Sequence, residues 1–171
     1  TIRSTIHQVN DLEEYLTSTG FAKKDVKNCA LFLQMIEEHK LRRSASTFRA
    51  GEIVLEHTNE KLRKRSFLTK ILFGSSPSTV NKHLILLEQT FIASLDTSST
   101  NLKRALELFN ELKAIVEETL GQKNSQRLKR LEGMLLEASG EFDKAMEHYD
   151  AILEDHPTEQ RVMKRRIAVF E

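Results

Sequence analysis

The chain has 171 residues, 39% of them hydrophobic and 30% charged, with two prolines, six glycines and no tryptophan. That balance fits a helical domain with its own core and excludes a disordered or collagen-like polymer. The net charge of +1 removes global charge as a reason to expect nucleic acid, and the lone Cys29 excludes an intrachain disulfide.

No apolar run approaches the roughly 20 residues that cross a bilayer, and no secretory leader opens the chain. The chain begins at Thr1 without Met and stops at Glu171 inside a helical pattern, so a fragment truncated at its C-terminus is expected.

Every periodic stretch has the helical period, which predicts an all-α fold. Asn10, ahead of "DLEEYL", is read as the cap of a short first helix, with Glu13 completing a capping box and Gly20 ending it. A second helix is predicted over about 22–40, with Val26, Cys29, Ala30, Leu33 and Ile36 as its apolar stripe. Cys29 in that stripe reads as a small core residue.

After "LRRSAS" a third helix is predicted over about 47–65. Its end, "NEKLRKRSFLTKILFGSSPST", interleaves basic with large apolar residues. Such a stretch could rest on an anionic membrane surface, but a solvated helix end running into a loop is the preferred reading. Further helices are predicted over about 79–96, 100–119, 124–139 and 141–154, with a last one opening near Thr158. Leu84, Leu87, Phe91, Ile92 and Leu95 share one face; Leu102, Ala105, Phe109, Leu112 and Val116 share another. "DTSST" and "GQKNS" supply the breaks.

Gly133, Ala145, Tyr149 and Pro157 are spaced by twelve, four and eight residues. Small, small, aromatic and proline at those spacings match the 34-residue tetratricopeptide repeat, with Phe142 at a further aromatic position. Gly133 and Ala145 would let two antiparallel helices approach while Tyr149 and Phe142 fill the space between them. Gly140 falls at the turn, and Pro157 stops the second helix because it has no N–H to donate. Ala93, Ala105 and Phe109 repeat the spacing in a degraded form, with Glu117 where the proline would stand.

The expected architecture is a right-handed α-solenoid of tetratricopeptide-like hairpins with extra N-terminal helices. Its parts are N-terminal helices and a basic linker over 1–78, then repeats over 79–171, the best being 126–159. The last helix should show an apolar side that a further repeat would cover.

Nothing in the sequence points to catalysis, a cofactor or a metal. The offsets three and four after His148 hold Ala151 and Ile152, and no HExxH, paired CxxC, phosphate loop or GxSxG occurs. Binding is the better expectation. The first helix of each repeat would line a groove, placing Arg127, Arg130 and Met134 there, followed by Arg161 and Lys164 one repeat later. A basic ladder of this kind suits acidic segments or a terminal carboxylate. Ordinary solvated lysines and arginines are the plain alternative.

The stretch "RLKRLEGMLLEASGEFDKAMEHYDAILEDHPTEQRVMKRRIAVFE" resembles the family of subunit 2 of the endoplasmic-reticulum membrane protein complex. The resemblance is carried by "RLKRLEGM", "YDAILEDHPT" and "KRRIAV"; the helix pair over 81–120 fits more loosely and "FRAGEIVLEH" more weakly still. It implies a non-catalytic scaffold on the cytoplasmic side of that membrane, partnered by other protein subunits, integral membrane ones included. The complex inserts transmembrane and tail-anchored proteins, and this chain would contribute assembly. The alternative is a freestanding peptide-binding adaptor or co-chaperone, which Met134 weakens, because chaperone-tail clamps of this repeat class prefer Asn at that position.

Overall fold

A computed structural model describes residues 2–63, 77–97, 101–119, 121 and 125–170, and all regular structure among them is helical. Eight α-helices follow in order: α1 (Ile2–Tyr15), α2 (Val26–His39), α3 (Ser44–Arg63), α4 (Pro77–Thr97), α5 (Leu102–Ala114), α6 (Gln126–Ala138), α7 (Phe142–Asp155) and α8 (Gln160–Phe170). Most of the basic stretch read as a possible membrane-surface segment lies outside the described residues. Pro77 opens α4, where its missing N–H costs no helical hydrogen bond.

The chain divides into two compact units, Thr1–Thr97 and Ser98–Glu171. The division falls after α4, whereas the sequence placed the start of the repeats at residue 79. α4 packs against α3, in the first unit.

In that unit Val9, Leu16, Cys29, Phe32 and Ala50 are fully buried, joined by Phe21, Leu33, Ile36 and Ile53. α1 starts well before Asn10, because Val9 and Leu16 lie seven residues apart on one face and carry the helix through. Asn10 is therefore inside α1, not its cap, and its Oδ1 accepts a hydrogen bond from Arg43 at 3.1 Å. Glu13 makes no capping box; it pairs with Arg43 at 3.1 Å and accepts from the Ser46 hydroxyl at 2.5 Å. The stripe of α2 also differs: Ala30 is exposed, and Phe32 takes the core position that Ala30 was expected to hold.

α1 widens into a π turn over Leu16–Gly20. The Thr17 hydroxyl donates to the carbonyls of Glu13 and Glu14, and that of Ser18 to Tyr15, so side chains compete with the ladder where it loosens. Asp25 then caps α2, its Oδ1 accepting from the Asn28 N–H at 3.2 Å. That bond, with others from the Asn28 side chain and Tyr15, holds the Asp25 carboxyl below its usual range.

α3 and α4 meet at a notch. A Cβ on Gly51 would lie 2.1 Å from Thr90 Oγ1 and 2.9 Å from Thr90 Cβ, so only glycine admits this approach. Thr90 is fully buried and returns its hydroxyl to the Leu86 carbonyl of its own helix at 2.8 Å.

In the second unit α5 packs on α6, α6 on α7 and α7 on α8. Of the stripe expected there, Ala105, Phe109 and Leu112 on α5 and Val116 just beyond it are buried, Leu102 is only partly so, and Leu108 joins them in the core. α6 turns into α7 through Gly140, at φ +76°. The Gly140 N–H donates to the Glu137 carbonyl at 2.9 Å and the Glu141 N–H to Leu136 at 3.0 Å, the paired bonds of a Schellman stop. α7 ends at Asp155, ahead of Pro157. On α8, Met163 and Ile167, one turn apart, are both exposed.

Candidate partner-binding surface

The surface is carried by α6, α7 and α8, and a second notch sets how α6 and α7 meet. A Cβ on Gly133 would lie 2.2 Å from Tyr149 Cε1 and 2.6 Å from Cζ. The ring of Tyr149 thus occupies the space that any larger residue at 133 would need. Ala145 and Tyr149 are fully buried, with Ile152 and Val162 completing the cluster.

A buried tyrosine needs a partner for its hydroxyl. Tyr149 donates to Glu137 Oε1, and Glu137 Oε2 accepts from Arg165 at 3.2 Å. One carboxylate therefore ties α6 to both α7 and α8. Burial, and then the hydrogen bond to Glu137, push the Tyr149 hydroxyl far above its ordinary pKa. Arg166 pairs with Asp150 on α7, which raises the Arg166 pKa further, first through the hydrogen bond and then through the carboxylate charge. His148 Nε2 meets the Lys129 carbonyl at 2.7 Å, and Lys129 Nζ lies 3.7 Å from Asp155.

Of the expected groove residues, Arg127 and Arg130 are partly exposed on α6, while Arg161 and Lys164 are exposed on α8. α8 also touches α6, so two pairs of cations, each at i, i+3, stand on neighbouring helices. Met134 does not belong with them. It is only 5% exposed, a buried residue and not a groove-lining one. At 100° per residue it lies about 60° from Leu131, near enough to the apolar arc for the core to take it.

Phe142 also departs from expectation, at 55% exposed. It is the first residue of α7, and helical side chains lean toward the N-terminus, which accounts for a ring left largely in solvent at the helix start. Ala93 is buried in α4, and Ala105 and Phe109 in α5. The Glu137–Tyr149–Arg165 network was missed by sequence reasoning. A tyrosine placed opposite a glycine notch was the available signal, since its hydroxyl must find an acceptor nearby.

Among the described residues no group of three or more His, Cys, Asp or Glu side chains could hold a metal ion. No described helix is long and apolar enough to cross a membrane.

No protein-family profile matches the chain, and no solved structure does. Curated proteins do. The chain is 36% identical over 85 residues to ER membrane protein complex subunit 2 of Xenopus tropicalis, and equally to subunit 2-A of Xenopus laevis. It is 33% identical over 86 residues to ER membrane protein complex subunit 2 of Dictyostelium discoideum. Each match takes in 50% of this chain, which spans 26% of the frog proteins and 24% of the Dictyostelium one. Half of this chain is thus similar to about a quarter of ER membrane protein complex subunit 2 from organisms as distant as a frog and Dictyostelium.

Proposed function

We propose that this chain is a non-catalytic helical scaffold that acts as a subunit 2 of the ER membrane protein complex. The similarity to proteins of that name, at 33–36% identity, carries the reading. The glycine notch at Gly133 and the close α6–α7 hairpin support a tetratricopeptide-type repeat there, continued by α8 as a right-handed stack. In this reading the chain sits on the cytoplasmic face of the endoplasmic reticulum. It contributes assembly to a complex that inserts transmembrane and tail-anchored proteins, and its partners include integral membrane subunits. Purification of the tagged full-length protein from detergent-solubilised membranes tests it. Integral membrane partners recovered in fixed stoichiometry support the reading, and recovery of soluble proteins alone overturns it.

The basic ladder is the proposed contact surface, with Arg127, Arg130, Arg161 and Lys164 receiving acidic segments of a partner. Reversing Arg161 and Lys164 to glutamate changes exposed charges worth at most about 1 kcal/mol each to folding. Partner binding should weaken sharply, and wild-type binding should fall as salt rises. A folded double variant that retains its partners would exclude this surface.

A further inference from the structure

A second surface lies in the other compact unit and has the opposite character. α1 and α2 border a groove of about 780 Å³. Leu12 and Tyr15 come from α1, and Leu31 and Met35 from α2. Leu31 is 47% exposed and Tyr15 38%, whereas Leu12 and Met35 are partly buried along the floor. On each helix the lining residues recur at helical spacing, Gln8, Leu12 and Tyr15 on one and Leu31, Met35 and Glu38 on the other. Two such stripes side by side form the cradle into which an amphipathic helix lays its apolar face.

The rim decides what kind of helix. Among the described lining residues the acidic side chains are Asp11 and Glu38, with His39 beside them, and none of those described is lysine or arginine. The chain as a whole has 26 basic and 25 acidic residues, so the excess of carboxylates is local. Both carboxylates are exposed, Asp11 standing 3.7 Å from His7 and Glu38 accepting from Gln34 at 2.7 Å. The Tyr15 hydroxyl is already engaged, donating to Asp25 at 2.9 Å, which holds its ring in place at one end of the groove.

We propose that the α1–α2 groove docks an amphipathic helix of a protein partner that carries basic residues along both edges of its apolar stripe. The lining of α1 runs from Thr5 to Tyr15. At 1.5 Å per residue that is roughly 15 Å, so the occupant needs about three turns. Leucine or isoleucine at i, i+4 and i+7 would cover Leu31, Met35 and Leu12, and lysine or arginine on the flanks would meet Glu38 and Asp11. The inference stands apart from the basic ladder and from the proposed membrane complex, since its residues belong to the other unit.

The test uses the whole chain and two labelled helical peptides of about 14 residues with the same leucine stripe, one flanked by lysine and one by glutamate. Fluorescence anisotropy should show binding of the lysine peptide, weakening with salt, and at least about tenfold weaker binding of the glutamate peptide. Leu31→Asp should reduce binding by about tenfold or more. Glu38→Lys should reduce it and flatten the salt dependence. Leu106→Asp, at an equally exposed leucine in the other unit, should leave it unchanged. Circular dichroism melts unchanged by these substitutions show that the fold persists. Equal binding of both peptides, or lysine-peptide binding indifferent to Leu31→Asp, overturns the proposal. So does self-association of the chain that Leu31→Asp abolishes, which would assign the groove to a second copy.

Discussion

Replacing Gly133 by alanine adds one methyl group, and the structure gives that methyl nowhere to go. At an open helical site the change should stabilise by about 1 kcal/mol, because alanine is the better helix former. Here the new carbon would lie 2.2 Å from Tyr149 Cε1, 2.6 Å from Cζ and 2.9 Å from the hydroxyl oxygen. Ordinary carbon contacts are about 3.5–4.0 Å, so the ring must retreat by more than about 1 Å or the helices must part. The ring is fully buried and its hydroxyl is held by Glu137, so neither movement is cheap. Overpacking costs about 1–3 kcal/mol, and losing a hydrogen bond to a charged acceptor about 1.5–3 kcal/mol. Set against the helix-propensity gain, the net loss is about 2–5 kcal/mol, or a fall in melting temperature on the order of 10 °C or more for a unit of this size. The chain has two tyrosines, so in a Tyr15→Phe background the near-ultraviolet circular dichroism reports on Tyr149 alone. Its melt should shift down, and amide exchange should accelerate across α6 and α7. In a Tyr149→Leu background the same glycine substitution should become nearly neutral or stabilising. An alanine variant that melts higher than the parent would refute the notch.

Gly51→Ala should destabilise the first unit by about 1–3 kcal/mol, and Thr90→Ala should recover part of the loss by removing the nearest atoms; a neutral effect in urea titration would contradict the α3–α4 approach. Ala145→Leu, at a fully buried position, should cost about 1–3 kcal/mol by thermal melt, and an unchanged midpoint would mean that position 145 does not face α6. Burial, helped by Asp25, pushes the Cys29 thiol from 9.0 up to about 11. A raised folded pKa gives stability that is whole below about pH 9 and lost as pH climbs toward 11. Labelling by a disulfide reagent at pH 8 should therefore proceed only through opening of the first unit, and rapid native-state labelling would count against this. Glu137→Gln removes the charge between Tyr149 and Arg165 and should cost about 1–3 kcal/mol, read by chemical denaturation, with loss of less than half that arguing that the network is loose in solution.

Local regularities were legible and crossings between helices were only partly so. The period of apolar residues exposed every described helix, and the glycine, alanine and tyrosine spacings pointed to the contact at Gly133 because a repeat encodes its partner at a fixed offset. Gly51 and Thr90 had no such offset; they come from helices separated by the stretch around residues 64–76, and nothing in either segment names the other. Asn10 misled because a good capping residue was weighed above the Val9–Leu16 face that runs through it. Met134 and Phe142 were placed by analogy with repeat positions, yet helical phase drew one into the core and the lean of the Cα–Cβ bond sent the other outward. The α1–α2 groove had no motif at all, since its stripes read as plain amphipathic helices until folding sets them side by side.

The α3–α4 notch carries a consequence for how this sequence can drift. Thr90 hands its hydroxyl to its own helix, as do Ser94, to Phe91 at 2.6 Å, and Thr97, to Ala93 at 2.5 Å. Thr90, the one of the three shown against α3, is therefore polar in name but presents Gly51 with little more than volume. Selection at position 90 should therefore be blind to hydrogen-bonding chemistry and strict about size, with valine tolerated and leucine refused. Beside threonine or valine at 90, position 51 should admit glycine alone. Related chains that accept a larger residue at 51 must carry a smaller one at 90, so enlargement at 51 should be seen only together with reduction at 90, far away in sequence.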